Sequence, residues 1–116
     1  MFRFLDLQIW EQAADMAVEL DELAGELDER KKYRFAEQLQ SAGLSISNNI
    51  AEGSGSNANK DFVKFLFIAR KSAFECASML MIFQRTSYCN PNKSNQLIAD
   101  LEKLSKMIVS FSRTLT

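Results

Sequence analysis

The 116-residue sequence contains no histidine, the side chain that proteins use most often as a general base and as a metal ligand. Its two cysteines are too few for a disulfide framework, and we expect two free thiols, with Cys76 buried and Cys89 near the surface. Glu52, a candidate acid, has no second acid within four residues on its predicted helix face. We therefore predict a protein that is not an enzyme and that has no catalytic, cofactor-binding or metal-binding residues.

Long hydrophobic runs are also absent. The longest apolar run, residues 77–83, is interrupted by Ser78 and is too short to span a bilayer. Asp6 interrupts the apolar N-terminus, so no signal peptide is expected. These features predict a cytoplasmic protein without a membrane partner. At this length the chain should fold as one domain, residues 1–116, with a core that needs no disulfide or metal.

The chain has only one proline and four glycines, which favours few and long elements. Apolar residues recur at alternating steps of three and four within residues 10–27, 35–46, 62–83 and 97–115. This spacing keeps side chains on one side of an α-helix, and no segment alternates with the period of a strand. Four helices with short connections predict an all-α protein, an antiparallel up-down-up-down four-helix bundle.

The sequence defines some ends of these helices more clearly than others. Gly53 and Gly55 should end the second helix, because glycine readily adopts the left-handed conformation that follows a helix. Asn57 is expected to cap the third helix, and the pair Asn90-Pro91 should begin the fourth. The turn between the first and second helices, within residues 28–34, contains neither glycine nor proline and is the least defined boundary.

The third helix is apolar on more than its core stripe. A helix that is apolar nearly all round is usually buried on all sides, whereas each helix of a four-helix bundle keeps one side exposed. We therefore predict that the second apolar face is a subunit interface, with a wide core stripe as the alternative. We call this second face the α3 apolar face, and its members, at steps of four, seven and seven, are Val63, Phe67, Phe74 and Met81.

Residues 45–55, SISNNIAEGSG, begin like an amphipathic helix and end like a loop. Asn49 falls on or beside the core stripe, where its amide needs hydrogen-bond partners such as the last carbonyls of the helix. Glu52 is placed to accept hydrogen bonds from the following turn. A phosphate loop would need a preceding strand and a terminal Gly-Lys-Ser/Thr, and this stretch has neither. We predict a structural motif that joins the second and third helices, formed by Asn49, Ile50, Ala51, Glu52 and Gly53.

Charge is distributed unevenly along the chain. Residues 1–30 carry nine acids and two bases, a net charge of −7, whereas residues 31–116 carry six acids and twelve bases, a net charge of +6. The basic side chains suggest nucleic-acid binding, although carboxylates lie close by and no aromatic residue alternates with them. A solvated face with ion pairs is the simpler interpretation. The candidate nucleic-acid contacts are Arg30, Lys31, Lys32, Arg34, Lys60, Lys64 and Lys71.

A resemblance to a known family covers most of the chain. It is carried mainly by Gln38-Leu39, Ala42, Ser45-Ile46, the motif Asn49 to Gly53, Asp61-Phe62, Phe65-Leu66 and Ile68-Ala69-Arg70. With these residues the sequence resembles the four-helix-bundle proteins of the 23S-rRNA intervening-sequence family, which is similar in fold to the accessory variability proteins of diversity-generating retroelements. Those accessory proteins are homopentameric barrels that bind nucleic acid and a reverse transcriptase. The resemblance implies a small, non-enzymatic, ring-like homopentamer of undefined cellular role.

Two functions are consistent with these observations. The first is a homo-oligomeric interaction or scaffold module whose surface recruits another protein. The alternative is an oligomer that binds RNA or DNA and acts with a nucleic-acid-processing partner. The resembling family often has basic residues at the positions of Gln40, Ser41, Ser56 and Asn57, which are neutral here. Because phosphate affinity depends largely on lysine and arginine, we favour the interaction module.

Overall fold

A computed structural model describes the whole chain, Met1–Thr116. It contains no strand, and the four expected helices are confirmed, with lengths of 22 to 25 residues. A short 3-10 helix, Arg3–Asp6, precedes them and was not expected from the sequence. The helices are α1 (Gln8–Glu29), α2 (Tyr33–Ser54), α3 (Asn59–Phe83) and α4 (Pro91–Arg113).

The helices form an elongated bundle of about 44 × 22 × 19 Å. Each helix packs on the next along the chain, α1 also contacts α4, and α1 makes no contact with α3. Near the start of α3, the ring of Phe62 lies 5.6 Å from the ring of Phe111, which is near the end of α4. After the end of α3, Gln84 donates a 2.9 Å hydrogen bond to Ser94 at the start of α4. All four helices therefore enclose one core.

The core stripe that the apolar spacing predicts for α1 is confirmed at four of its six positions, Ala13, Leu20, Ala24 and Leu27, and differs at the other two. Trp10 and Ala17 are only half-buried, whereas Ile9 and Met16 are buried. Trp10 instead packs at the edge of the core, with its ring 4.8 Å from the ring of Phe4 in the 3-10 helix. A window of residues 10–27 could not include this contact, because it depends on the segment that precedes α1.

Both cysteines are free and buried. The prediction for Cys76 is confirmed. The prediction that Cys89 lies near the surface was wrong, because the connection between α3 and α4 folds this side chain into the hydrophobic core.

The turn between α1 and α2 ends α1 without a glycine. Lys31 has a φ of +63°, in the left-handed region. Its backbone N–H donates to the carbonyl of Asp28 at 2.9 Å, and the N–H of Lys32 donates to the carbonyl of Leu27 at 2.9 Å. This pair of bonds is the Schellman motif, in which glycine usually occupies the left-handed position.

The junction between α2 and α3 differs from the prediction. Helix α2 continues through Gly53 and ends before Gly55, which is its C-cap. No glycine in the chain has a positive φ, so the expected left-handed conformation was wrong. Gly53 is buried instead, and a Cβ atom there would lie 2.7 Å from the Cβ of Phe65 and 2.9 Å from the Cδ1 of Phe62. Glycine is required at this position because α2 and α3 approach each other closely.

The starts of α3 and α4 show one wrong and one confirmed prediction. Asn57 does not cap α3, because Ala58 occupies the N-cap position and no side chain caps the helix. Asn90 caps α4 as expected: its Oδ1 accepts from the N–H groups of Asn92 at 2.8 Å and Lys93 at 3.3 Å. Pro91 occupies the first helical position, where its missing N–H is not needed.

Candidate functional site

The α3 apolar face lies mostly in water. Phe67 is 42% exposed, Phe74 is 55% exposed and Met81 is 50% exposed, whereas Val63 is half-buried. Ile68 and Ile82 on the same helix are exposed as well. The alternative prediction, a wide core stripe, therefore does not account for Phe67, Phe74 and Met81. It fits only Val63, and only in part. An exposed apolar helix face of this size is a candidate interaction surface.

Part of this face borders a groove between α3 and α4 that has a volume of about 920 Å³. Phe74 and Met81 contribute to the apolar lining from α3, and Ile98 and Val109 contribute from α4. We call this feature the α3/α4 groove. The charged side chains along it are mostly basic: Arg70, Arg85, Lys106 and Arg113, with the single acid Glu102.

Arg70 is the most constrained of these bases. Its guanidinium carbon lies 4.6 Å from the centre of the Phe74 ring, a cation–π contact between two residues of the groove. Its Nε is buried and has no hydrogen-bond partner. Arg70 also forms no ion pair within the chain. The guanidinium is therefore held in position at the groove without an anionic partner of its own.

Asn49 is part of a polar chain that connects α2 to α3. Its Nδ2 donates to the backbone carbonyl of Ser45 at 2.7 Å and to the Oγ of Ser45 at 3.0 Å. The Oγ of Ser45 lies 2.8 Å from the Oγ of Ser72 on α3, and either hydroxyl can donate. Sequence reasoning did not include Ser45 and Ser72 in the motif. The four-residue spacing of Ser45 and Asn49 was the available signal, since it places both on one helix face.

The other motif residues have separate environments. Ile50 is buried in the core, and Ala51 is half-buried. Glu52 is exposed and its carboxylate accepts no hydrogen bond, which differs from the expectation that it would bind the following turn. The backbone carbonyl of Glu52 accepts from the N–H of Gly55 instead. Gly53 thus packs against α3, Asn49 is linked to α3 only through Ser45, and Glu52 faces solvent.

The basic turn, which we define as Arg30, Lys31, Lys32 and Arg34, lies against the connection between α3 and α4. Arg30 donates a 2.9 Å hydrogen bond from Nη1 to the carbonyl of Ser87. The Nζ of Lys32 lies 4.8 Å from the centre of the Tyr88 ring. The interpretation that no aromatic residue alternates with these bases was wrong, because Tyr33 stands between Lys32 and Arg34 and Tyr88 is brought in from a distant part of the chain.

The second basic group does not join this turn. Lys60, Lys64 and Lys71 are exposed along α3 and form no ion pair. Lys60 lies at the start of α3, whereas the basic turn contacts residues that follow the end of α3. The seven candidate nucleic-acid contacts therefore form two groups rather than one continuous surface.

Among the acidic groups of the chain, the two cysteine thiols have pKa values that are shifted from their usual range. Burial raises the pKa of Cys76 to about 12, and the nearby carboxylate of Glu75 adds to this effect. Burial also raises the pKa of Cys89, with a smaller contribution from Glu26. Both thiols are therefore neutral at pH 7 and poor nucleophiles.

No group of three or more histidine, cysteine, aspartate or glutamate side chains is arranged to hold a metal ion. Each of the four helices is either too short or too polar to cross a bilayer.

Comparison with known proteins places these features in a family. The profile described as 23S rRNA-intervening sequence protein matches residues 5–110. Among solved structures, a protein with unknown function from the S23 ribosomal protein family of Bacteroides thetaiotaomicron is 27% identical, with a TM-score of 0.86 over 90% of this chain and 97% of its own. A comparison with curated proteins finds no match. Because the profile spans most of the sequence, the chain belongs to the 23S rRNA-intervening sequence protein family.

Proposed function

We propose that this chain is a non-enzymatic interaction module that assembles with copies of itself into a ring-like homo-oligomer. A pentamer is the assembly that the family resemblance implies, and its outer surface would recruit another protein. The observation that carries this proposal is the exposure of the α3 apolar face, in particular Phe67, Phe74 and Met81.

The energetic argument rests on these three large side chains. Burying one such side chain contributes about 1.5–3 kcal/mol, and each of the three leaves about half of its surface in water in the single chain. Association of copies through this face would bury that surface. The neighbouring α3/α4 groove extends the apolar area, so a partner could contact a concave surface rather than a single ridge.

Two finer features belong to the same proposal. An up-down-up-down arrangement is supported by the short connections, of three, four and seven residues, and by the contact between the start of α3 and the end of α4. A cytoplasmic location is supported by the two free thiols, since reducing compartments keep cysteines unpaired.

The substitution Phe74→Glu tests self-assembly. A carboxylate on the α3 apolar face would have to be desolvated in an interface, so the variant should form a smaller particle while its helix content stays the same. Light scattering coupled to gel filtration measures the mass, and circular dichroism measures the helix content. Leu44→Glu is the matched control, because Leu44 is similarly exposed but lies on α2.

A monomeric mass for the unmodified protein at micromolar concentration would contradict the proposed assembly. An equal loss of assembly in the Leu44→Glu variant would show that the α3 apolar face has no special role.

Nucleic-acid binding is the second candidate function, and one observation favours it. The basic turn has a tyrosine beneath Lys32, and Tyr33 beside it is exposed, so cationic and aromatic side chains occur at the same end of the bundle. Single-stranded nucleic acids are bound by this combination of phosphate neutralisation and base stacking. A ring would present this turn once per subunit, which raises the affinity of a weak site.

Replacing Lys31, Lys32 and Arg34 together with glutamate tests this candidate. Binding of labelled RNA or DNA should fall steeply with salt in the unmodified protein and should be lost in the variant. Replacing Lys60, Lys64 and Lys71 with glutamate is the matched control on α3. The absence of any gel shift at low salt would contradict nucleic-acid binding.

A further inference from the structure

The α3/α4 groove has an excess of positive charge that its own chain leaves unpaired. Lys106 pairs with Glu102 at 3.1 Å, but this pair is highly exposed and therefore weak. Arg70, Arg85 and Arg113 form no ion pair. The groove therefore presents an apolar lining with a cationic border, a combination that suits an occupant with an apolar centre and carboxylates beside it.

Helix α1 has the complementary composition, with eight carboxylates and no basic residue. Its outward side carries a line of residues at steps of four, three, four, three and four, all exposed. None of the four carboxylates in this line forms an ion pair within the chain. We call this line the acidic α1 stripe, and it consists of Glu11, Asp15, Val18, Glu22, Gly25 and Glu29.

Two members of the acidic α1 stripe, Val18 and Gly25, are uncharged and lie on either side of Glu22. Val18 is an exposed apolar residue. Gly25 lies inside the helix, where glycine is less favourable than alanine, and a Cβ there would meet no atom of the chain within 4 Å. Nothing within this chain requires glycine at position 25. A glycine on an outward helix face allows another backbone or side chain to approach the helix closely.

We infer that the acidic α1 stripe of one copy packs into the α3/α4 groove of the next copy. This inference rests on the proposed self-assembly and specifies which two surfaces meet. The stripe covers 19 residues, or about 27 Å, and the α3 wall of the groove from Arg70 to Ile82 covers 13 residues, or about 18 Å, at a rise of 1.5 Å per residue. Val18 and Gly25 would face the apolar lining, and the carboxylates would face the groove arginines.

This contact is heterologous, because it joins two different surfaces. None of the stripe residues lines the groove and all of them are exposed, so each copy can use its stripe and its groove at the same time. Heterologous contacts of this kind generate rings when the rotation closes. A contact between two grooves would instead bring their basic borders together, and like charges across an interface oppose association.

Paired charge reversals test the inference. Asp15→Lys with Glu22→Lys reverses the charge at two positions of the stripe and brings its net charge from −4 to zero, and Lys106→Glu with Arg113→Glu reverses the α4 side of the groove. Each pair should raise the dissociation constant of the assembly by at least about tenfold, because like charges would meet in the contact. Glu37→Lys with Glu52→Lys is the matched control for the stripe, since both residues are exposed on α2 and give the same change in net charge. Sedimentation velocity measures assembly, and thermal melts confirm folding.

Combining both reversals in one chain provides the decisive comparison. The two substituted positions of the stripe would then be basic and the α4 side of the groove acidic, so attraction is restored between them and the assembly should return to the mass of the unmodified protein. Failure of this combined variant to assemble, while remaining folded, would overturn the inference.

Failure of the inference can be distinguished from failure of the proposed function. A monomeric unmodified protein would overturn both. An assembled protein whose Asp15→Lys, Glu22→Lys variant keeps its full mass would overturn only the contact between stripe and groove.

Gly25→Gln adds a readout in which folding and assembly change in opposite directions. Glutamine favours the helix, so helix content should stay the same or rise, while the added side chain should weaken assembly by at least about tenfold. Unchanged assembly in this variant would overturn the close approach at Gly25.

Discussion

Two junctions between helices differ in whether glycine occupies the position where the backbone conformation would favour it. At the α1–α2 turn, the chain adopts a left-handed conformation with a φ of +63°, and the residue there is Lys31. At the α2–α3 junction, the chain has Gly53, and no left-handed conformation occurs. Gly53 instead lies inside α2 and is buried beneath Phe62 and Phe65 of α3.

The difference shows that a glycine near a helix end has two separate physical meanings. One is conformational, because glycine tolerates a positive φ without steric conflict. The other is spatial, because the absence of Cβ permits another helix to approach. In this chain the spatial requirement is met by glycine, whereas the conformational one is met by lysine at some cost in free energy.

The largest expected effect is at Gly53. Gly53→Ala places a Cβ 2.7 Å from the Cβ of Phe65, a distance that the two helices can relieve only by moving apart. The free energy of unfolding should therefore fall by about 1–3 kcal/mol, as for other overpacked sites. Urea unfolding at a fixed protein concentration measures this change.

Gly55→Ala is the matched control for Gly53→Ala. A Cβ at position 55 would lie 3.4 Å from the carbonyl oxygen of Glu52, an ordinary contact, and Gly55 has a helical φ of −85°. Its stability should change by less than about 0.5 kcal/mol. If Gly53→Ala is as stable as Gly55→Ala, the close approach of α2 and α3 is not what requires glycine.

Sequence reasoning predicted the helices better than it predicted their junctions. The four stripes were visible because apolar spacing is local and repeats over many residues. The proline and asparagine that begin α4 were also readable, since a proline suits the first helical position and an asparagine caps through its own side chain. The role of Gly53 was not readable, because Phe62 and Phe65 reach it only after α2 and α3 pack.

The candidate surfaces were also only partly predictable from the sequence. The excess apolar character of α3 was evident from the composition of one helix. The groove requires α4 beside α3, and the aromatic ring beneath Lys32 requires the connection that carries Tyr88, so neither follows from the pattern of a single segment.

Asn49 gives a smaller test of the α2–α3 junction. Asn49→Leu removes the hydrogen bonds from Nδ2 to Ser45, but the Oγ of Ser45 keeps Ser72 as a partner. Because no buried group loses its last partner, the cost should be about 1 kcal/mol, the net value of a typical hydrogen bond. Asn48→Leu, at an exposed neighbouring position, is the control and should be nearly neutral.

A decrease of more than about 3 kcal/mol in the free energy of unfolding of Asn49→Leu would contradict this account. An unchanged stability together with the loss of a binding partner would make the residue a recognition site.

The smallest effect, of opposite sign, is expected at the α1–α2 turn. Lys31→Gly keeps the two backbone hydrogen bonds of the Schellman motif and removes the conflict between Cβ and the backbone at a φ of +63°. Glycine also makes the unfolded chain more flexible, which offsets part of this stabilisation, so the free energy of unfolding should rise by about 0.5–1 kcal/mol.

Lys31→Ala is the control, because it removes the same charge but keeps the Cβ. Its free energy of unfolding should not rise. If alanine stabilises the protein as much as glycine does, the effect comes from the lost charge in the basic turn. The left-handed conformation would then carry no measurable strain, and the contrast between the two junctions would reduce to the packing of Gly53 alone.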